Sequence, residues 1–156
     1  MPNGNVHNLS IMALAATLPA ATLAAGVLPT GRALALAAGC LSGLLLSPDL
    51  DIDHGNISYK IVRDSVGCLP GALWKLFWWP YARLIPHRSL LSHGLLVGTL
   101  LRLLYLFAVP WLLWCLASLL APLPPLPIPH WSWLPYAVAG LIASDSLHSV
   151  MDVVWR

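Results

Sequence analysis

Long apolar runs with almost no charge dominate the sequence and restrict the folds that the chain can adopt. Charged residues make up 9% of its 156 residues, whereas soluble domains carry about 25%. So few polar side chains cannot cover the surface of a soluble protein. A helix of about 20 apolar residues can cross a hydrocarbon core of about 30 Å. The sequence therefore predicts an all-α integral membrane protein with a single membrane domain over residues 1–156.

Four stretches are apolar enough to be predicted as transmembrane helices. The second is short and rich in small residues, which favours close helix packing. Pro110 falls inside the third, where it predicts a kink or a break. The predicted helices span about 9–28, 33–48, 89–121 and 134–154.

The segment at about 71–86 is rich in aromatic residues and carries only two charges. Such a composition is typical of a helix that lies in the membrane interface. We therefore predict a bundle of about four transmembrane helices plus an interfacial helical segment. A fifth short membrane element is the alternative for this segment.

The charged residues exclude one class of partner and predict an orientation in the membrane. A net charge of +2 without a basic stripe gives no support for nucleic-acid binding. Because positive residues remain on the cytoplasmic side, we expect both termini and the more basic end of the bundle to be cytoplasmic. Membrane lipid is an expected partner, and a second membrane protein or a homo-oligomer stays open. Lys60, Arg63, Lys75, Arg83, Arg88 and Arg156 lie at the basic end, and Arg32 lies at the other.

The motif SPDLDIDHG, residues 47–55, places three aspartates at the end of the second apolar stretch. If the four helices cross the membrane alternately, this end meets the start of the first helix, the start of the third and the end of the fourth. Most His and Asp residues of the chain fall at these four ends, and the chain has no Glu. The candidates are His7, Asp49, Asp51, Asp53, His54, His87, His93, Asp145, His148 and Asp152.

Spacing predicts how some of these side chains are oriented. Asp145, His148 and Asp152 are separated by three and four residues and therefore share one helical face. The three aspartates of the motif share a face only if the segment is extended. If the second helix continues instead, Asp49 pairs with Asp53.

The two histidines of HRSLLSH are six residues apart, about 240° around a helix, so they cannot share a helical face. We expect His87 in the loop before the third helix and Ser89 as a candidate N-cap. His93 would then point inward from the first turn. His54 and His130 are interpreted as solvated side chains.

This combination of residue types predicts a metal site. Several carboxylates packed together are costly unless a cation neutralises them, which argues against a simple hydrated loop. Imidazole and carboxylate ligands suit Zn, the leading expectation, and also Mn, Fe or Mg. The candidates suffice for one or two divalent ions. Cys40, Cys68 and Cys115 have no metal-ligand spacing.

Four segments carry a resemblance to a known family. MPNGNVH, SPDLDID, HRSLLSHG followed by LLRLLYL, and SLHSVMD resemble a family of bacterial metal-binding membrane proteins, related to YdjM-type inner-membrane metal-dependent hydrolases. The resemblance spans residues 1 to about 153 and implies a bacterial inner or internal membrane. Asp53 fits its pattern less closely, and His54 matches no motif residue. The metal ligands it implies are His7, Asp49, Asp51, His87, His93, His148 and Asp152, with Arg88 beside them.

The leading functional hypothesis is a metal-dependent hydrolase that acts on a phosphoester of a lipid or amphiphile at the cytoplasmic face. Metal-bound water would be the nucleophile, with Asp51 or Asp53 as the general base. Arg88 would hold a phosphate oxygen, and a headgroup contact or structural ion pair is its alternative role.

Two further functions are alternatives to hydrolysis. The first is a non-enzymatic scaffold or assembly subunit whose metal joins helix ends. Its site would be closed, whereas a catalytic site keeps an open coordination position. The second is a metal carrier, which would need more polar residues across the bilayer than the sequence offers.

Two charges lie within the predicted membrane helices. Arg102 is about 13 Å deeper than His93, and Asp145 is about 10 Å deeper than Asp152, at 1.5 Å per residue. A buried charge needs a partner. We therefore predict an Arg102–Asp145 ion pair or a polar network that joins them, and an Arg102 side chain that reaches the opposite interface is the alternative.

Overall fold

The computed structural model describes residues 4–52, 56–121, 123–124 and 132–154. This part of the chain is all-α and contains no strand. Its elements are α1 (Gly4–Ala24), α2 (Thr30–Ser42), a 3₁₀ turn (Pro48–Asp51), α3 (Ile57–Val66), α4 (Cys68–Leu84), α5 (Leu90–His93), α6 (Val97–Ser118) and α7 (Leu134–Val154).

Among the described residues, three helices, and not four, are long and apolar enough to cross a membrane: α1 from Asn5, α6 and α7. The prediction of a span over 33–48 was wrong. Helix α2 has 13 residues, which extend only about 20 Å and fall short of a hydrocarbon core of about 30 Å. The chain leaves the helix at Gly43 and enters the 3₁₀ turn at Pro48, which has no N–H to donate.

The other bounds also differ in detail from the predicted ones. Helix α1 begins at Gly4 and therefore includes His7. The third stretch, 89–121, is divided into the short α5 and the long α6. Helix α6 continues through Pro110 without a break. Helix α7 covers the fourth stretch, 134–154.

A helical hairpin of α3 and α4 occupies the region between the second and third predicted spans. Helix α4 contains most of the predicted segment 71–86, whereas α3 was not predicted. Asn56 caps α3 by accepting a hydrogen bond from the backbone N–H of Ser58 at 2.8 Å. Gly67 separates the two helices with φ 110°, a conformation that favours glycine. The hairpin packs against the 3₁₀ turn through α4.

Helix α2 lies between α1 and α7 and packs closely against α7. A Cβ on Gly39 would overlap the backbone of Ala137, and a Cβ on Gly140 would overlap the carbonyl oxygen of Leu36. Small residues therefore let the two backbones approach, as the composition of the second stretch predicted. This packing brings the turn that follows α2 beside the last turns of α7.

We expect Gly140→Ala to destabilise the fold by about 1–3 kcal/mol, because the added methyl group has no space between α2 and α7. Thermal unfolding in detergent measures the effect as a lower Tm. Gly31→Ala is the matched control, since its Cβ would lie 3.8 Å from Trp133 in ordinary contact. A Tm for Gly140→Ala no lower than that of Gly31→Ala would contradict the close packing.

An apolar cluster joins α4, α6 and α7 to the 3₁₀ turn. Leu50, Trp78, Tyr81 and Leu141 are buried in it. Tyr105 of α6 donates a hydrogen bond of 2.6 Å to the carbonyl oxygen of Phe77 in α4. Elsewhere α6 is largely uncovered, since only 6% of the residues in its most apolar 18-residue stretch are buried. The cluster therefore holds one end of α6 while its remaining surface faces outward.

Candidate metal centre

The fold brings all seven predicted metal ligands to one end of the bundle. His7 lies near the start of α1, and the 3₁₀ turn carries Asp49 and Asp51. His87 lies in the loop after α4, and His93 ends α5. Helix α7 contributes the remaining two, His148 and Asp152.

These side chains form three overlapping groups, and the ligand atoms in each group lie within 4.8 Å of one another. His93 and His148 belong to two groups each, so the groups form one continuous cluster. Their role as ligands stays a prediction. The groups are His7, His148 and Asp152; Asp49, His93 and His148; and Asp51, His87 and His93.

The buried side of the cluster is built around His148. Its Nε2 lies 3.5 Å from Asp49 Oδ2 and 3.7 Å from Asp152 Oδ2. His7 stacks on it with ring centroids 4.2 Å apart, and His7 Nε2 lies 3.3 Å from Asp152 Oδ1. Two imidazoles and two carboxylates from three segments thus face each other.

His93 lies between the two aspartates of the 3₁₀ turn. Its Nε2 is 3.8 Å from Asp49 Oδ1 and 3.8 Å from Asp152 Oδ2, and its Nδ1 is 3.8 Å from Asp51 Oδ2. The segment was expected to be extended or α-helical. The segment is instead a 3₁₀ turn, in which Asp49 faces Nε2 of His93 and Asp51 faces Nδ1 of the same imidazole.

The buried hydroxyl of Ser92 fixes the orientation of His93. Ser92 Oγ lies 2.9 Å from His93 Nδ1 and within 3.3 Å of the carbonyl oxygens of Ser89 and Pro86. If the hydroxyl donates to a carbonyl, it accepts from an Nδ1–H, and the lone pair of His93 is then on Nε2. That nitrogen faces Asp49 and Asp152, as a metal ligand requires.

The exposed side of the cluster is a pair formed by His87 and Asp51. His87 Nδ1 lies 2.8 Å from Asp51 Oδ1. The Asp51 side chain is completely buried, whereas that of His87 is 41% exposed. A carboxylate that accepts from Nδ1–H leaves the lone pair of His87 on Nε2.

Unpaired polar atoms show that the cluster fits a cation. Among the described residues, His93 Nε2, both ring nitrogens of His148 and Asp51 Oδ2 are buried without a hydrogen-bond partner. The nitrogen–oxygen separations of 3.3–3.8 Å around His148 and His93 are longer than ordinary hydrogen bonds. Buried polar atoms without partners are costly. A divalent ion placed between Asp49, Asp152 and the Nε2 atoms of His93 and His148 would satisfy both of these nitrogens.

The electrostatics favour the protonation states that bind metal. Burial raises the pKa of Asp49, but contact with His148 and the charges of His148 and His93 outweigh it and hold the pKa below its ordinary value. Burial holds the pKa of His93 below its ordinary value, although the charges of Asp51 and Asp49 act to raise it. Both shifts favour a carboxylate and a neutral imidazole, the forms that coordinate metal.

The remaining candidates are Asp53, His54, His130, Arg88 and Asp145. Asp53, His54 and His130 lie outside the described residues. Arg88, the predicted phosphate ligand, is exposed and has φ 58°, which is uncommon for a residue with a side chain. Asp145 points to another partner, although it shares a helical face with His148.

That partner is Arg102, and the predicted ion pair is confirmed. Arg102 Nη2 and the hydroxyl of Thr99 both donate to Asp145 Oδ2. All three side chains are almost completely buried. Arg102 Nη1 also donates to the carbonyl oxygen of Ser92 at 2.8 Å. The pair therefore supports the turn that carries His93.

The supporting hydroxyls of Ser92 and Thr99 were not predicted as functional residues. Ser92 lies inside the HRSLLSH motif, and Thr99 lies three residues before Arg102. A polar residue one helical turn from a membrane-embedded charge is a signal that could have identified Thr99.

The described residues combine three helices able to cross a membrane with three groups of His and Asp side chains that could hold a metal ion. The chain belongs to the family described as "Uncharacterized metal-binding protein (DUF2227)", whose model matches residues 2–156. No curated protein and no solved structure matches the chain. The family match supports the expected metal-binding family and does not extend to the YdjM-type hydrolases.

Proposed function

We propose that this protein is a membrane-embedded, metal-dependent hydrolase that acts on a phosphoester of a lipid at the cytoplasmic membrane face. Three helices with the length and composition of membrane spans support the location. The outward apolar surface of α6, with exposed Leu100, Leu104, Phe107 and Trp111, suits contact with acyl chains.

The observation that most directly supports this proposal is a single cluster of seven His and Asp side chains that contains no thiolate. A structural zinc site is typically closed by four ligands and is often rich in Cys. Seven oxygen and nitrogen donors are more than one such ion needs, and they suit a hydrolytic site for two ions. A substrate can reach the cluster at its exposed edge, where the side chains of His87 and Asp49 are 41% and 28% exposed.

The residues of the chain have separate tasks in this proposal. An ion would be held by His7, Asp49, His93, His148 and Asp152, and it would supply Lewis-acid activation of the phosphoester and of water. Asp51 accepts from His87 Nδ1–H and so selects the tautomer whose lone pair is on Nε2. His87 Nε2 then completes the ligand set or accepts the proton of the attacking water. The exposed Arg88 contacts the phosphate.

A metal-held scaffold is the second candidate function, and one observation favours it. The cluster joins four separate parts of the chain, and the side chains of His7 and His148 are only 8% and 3% exposed. An ion held mainly on this buried side would fix the helix ends without reaching a substrate.

Turnover distinguishes the two functions. We expect the purified protein, reloaded with Zn or Mn, to hydrolyse phospholipids, lipid phosphates or generic phosphodiesters. His93→Ala and Asp51→Asn should each lower kcat by at least about 100-fold, as expected for ligands and their orienting carboxylates. Asp64→Asn is the matched control, because Asp64 is exposed and pairs with Arg63. Metal-dependent stability without turnover on any of these substrates would favour the scaffold.

The proposed orientation is tested by labelling. We expect a cysteine at position 60, in a chain whose own cysteines are replaced, to react with an impermeant maleimide only from the cytoplasmic side. The reason is the excess of Lys and Arg at this end. A cysteine at position 32 should react only from the opposite side. Labelling of position 60 from outside would contradict the orientation.

A further inference from the structure

A groove of about 260 Å³ lies beside the metal cluster, between the start of α3, one side of α4 and the 3₁₀ turn. Lys60 and Lys75 contribute to its lining, together with Tyr59, Trp74 and Trp79. Both lysines are exposed. No carboxylate belongs to the lining among the residues that the structure describes. The groove therefore presents two cations to a ligand.

The aromatic lining suits the apolar part of an amphiphile. Trp74 is held in place by a 3.0 Å hydrogen bond from Nε1 to Ser58 Oγ. Trp78 is buried, and its Nε1 has no hydrogen-bond partner among the described residues. Trp79 is 47% exposed on the same helix as the exposed Leu73 and Leu76. Indole side chains favour the membrane–water interface, so the groove combines an interfacial wall with a cationic lining.

The hairpin as a whole attracts anions. Its described cations are Lys60, Arg63, Lys75 and Arg83, and its single acid, Asp64, is paired with Arg63 at 2.8 Å. Basic residues at a membrane surface attract anionic lipids. The same charges repel the ammonium groups of zwitterionic headgroups.

One turn of backbone separates the groove from the metal cluster. Leu50 of the 3₁₀ turn and Ile52, the residue after it, line the groove and alternate in sequence with Asp49 and Asp51. Asn56, which also lines the groove, donates from Nδ2 to the carbonyl oxygen of Asp49 at 3.2 Å. A molecule in the groove would thus contact the segment that carries two of the predicted ligands.

We propose that this groove binds an anionic phospholipid, with Lys60 and Lys75 on the phosphate and the indole rings against the glycerol and acyl region. As an assignment of the substrate class, the inference rests on the proposed function. As a binding site, it is tested without turnover.

The test is thermal unfolding of the full chain in detergent, with soluble dioctanoyl phosphatidylglycerol, dioctanoyl phosphatidylcholine or inorganic phosphate as the probe. A ligand that binds the folded state raises Tm with its concentration. We expect phosphatidylglycerol to raise the Tm of the wild type more than the other two probes do. Lys60→Gln with Lys75→Gln should weaken phosphatidylglycerol binding about tenfold or more. Lys60→Arg with Lys75→Arg, which keeps both charges, should retain it.

Three results would overturn the inference: an equal shift with phosphatidylcholine, an equal shift with inorganic phosphate, or full phosphatidylglycerol binding by the double Gln variant. The measurement is made with and without chelator, so that it does not depend on the metal. A protein that binds phosphatidylglycerol through the two lysines but hydrolyses nothing contradicts only the proposed function. A protein that hydrolyses a phosphoester but binds both lipids equally contradicts only this inference.

Discussion

Asp145→Ala is expected to destabilise the protein by about 3–5 kcal/mol, because it leaves the buried Arg102 guanidinium without its counter-charge. The change also removes the acceptor of the Thr99 hydroxyl. Equilibrium unfolding in detergent measures the stability. Since Arg102 also holds the carbonyl oxygen of Ser92, next to His93, we expect metal affinity to fall by about 10–100-fold.

A double variant separates the two effects. Arg102→Met with Asp145→Leu removes both charges and should restore much of the stability, as replacement of buried ion pairs by apolar residues often does. It should not restore metal affinity, because replacing Arg102 removes the donor to the Ser92 carbonyl oxygen. Asp64→Ala, at the exposed Arg63–Asp64 pair, should change neither quantity noticeably. Wild-type metal affinity in the double variant would show that the ion pair does not support the site.

His148→Ala is expected to remove most of the bound metal. Its imidazole belongs to two of the three ligand groups, and its Nε2 lies 3.5 Å from Asp49 Oδ2 and 3.7 Å from Asp152 Oδ2. Asp49→Ala should have a similar effect, although it lies in a distant part of the sequence. Inductively coupled plasma mass spectrometry of protein purified without added metal measures the ion per chain.

His148→Gln and Asp49→Asn guard against simple misfolding, since they keep most of the side-chain volume while replacing the ligand atoms. Circular dichroism should show wild-type helix content in both. Metal content equal to that of the wild type in either folded variant would contradict its role as a ligand.

The convergence of the cluster could be predicted from the sequence because it depends only on topology and helical spacing. Consecutive helices that reverse direction bring the ends of distant segments to one end of the bundle, and this holds although α2 is too short to cross a membrane. A spacing of three and four residues fixes the common face of Asp145, His148 and Asp152. The Arg102–Asp145 pair followed from depth alone, since the rise per residue is constant.

Other features depend on tertiary contacts that the sequence does not specify. Helix α2 ends at Ser42, where Gly43 lies against Ser144 of α7, whereas the apolar composition continues to Leu46. The 3₁₀ turn is shaped by contacts with α4 and α5. Ser92 acquires its role only in the folded protein, where its hydroxyl lies beside His93 Nδ1 and its carbonyl oxygen accepts from Arg102.

Anomalous X-ray scattering from crystals of the purified protein, measured on both sides of the zinc and manganese absorption edges, tests the central claim most directly. The account predicts an anomalous peak within coordination distance of His148 Nε2, His93 Nε2 and the carboxylates of Asp49 and Asp152. A second peak beside Asp51 and His87 would indicate two ions. A bound metal whose peak lies away from these side chains, or a cluster without a peak in protein loaded with zinc and manganese, would contradict it.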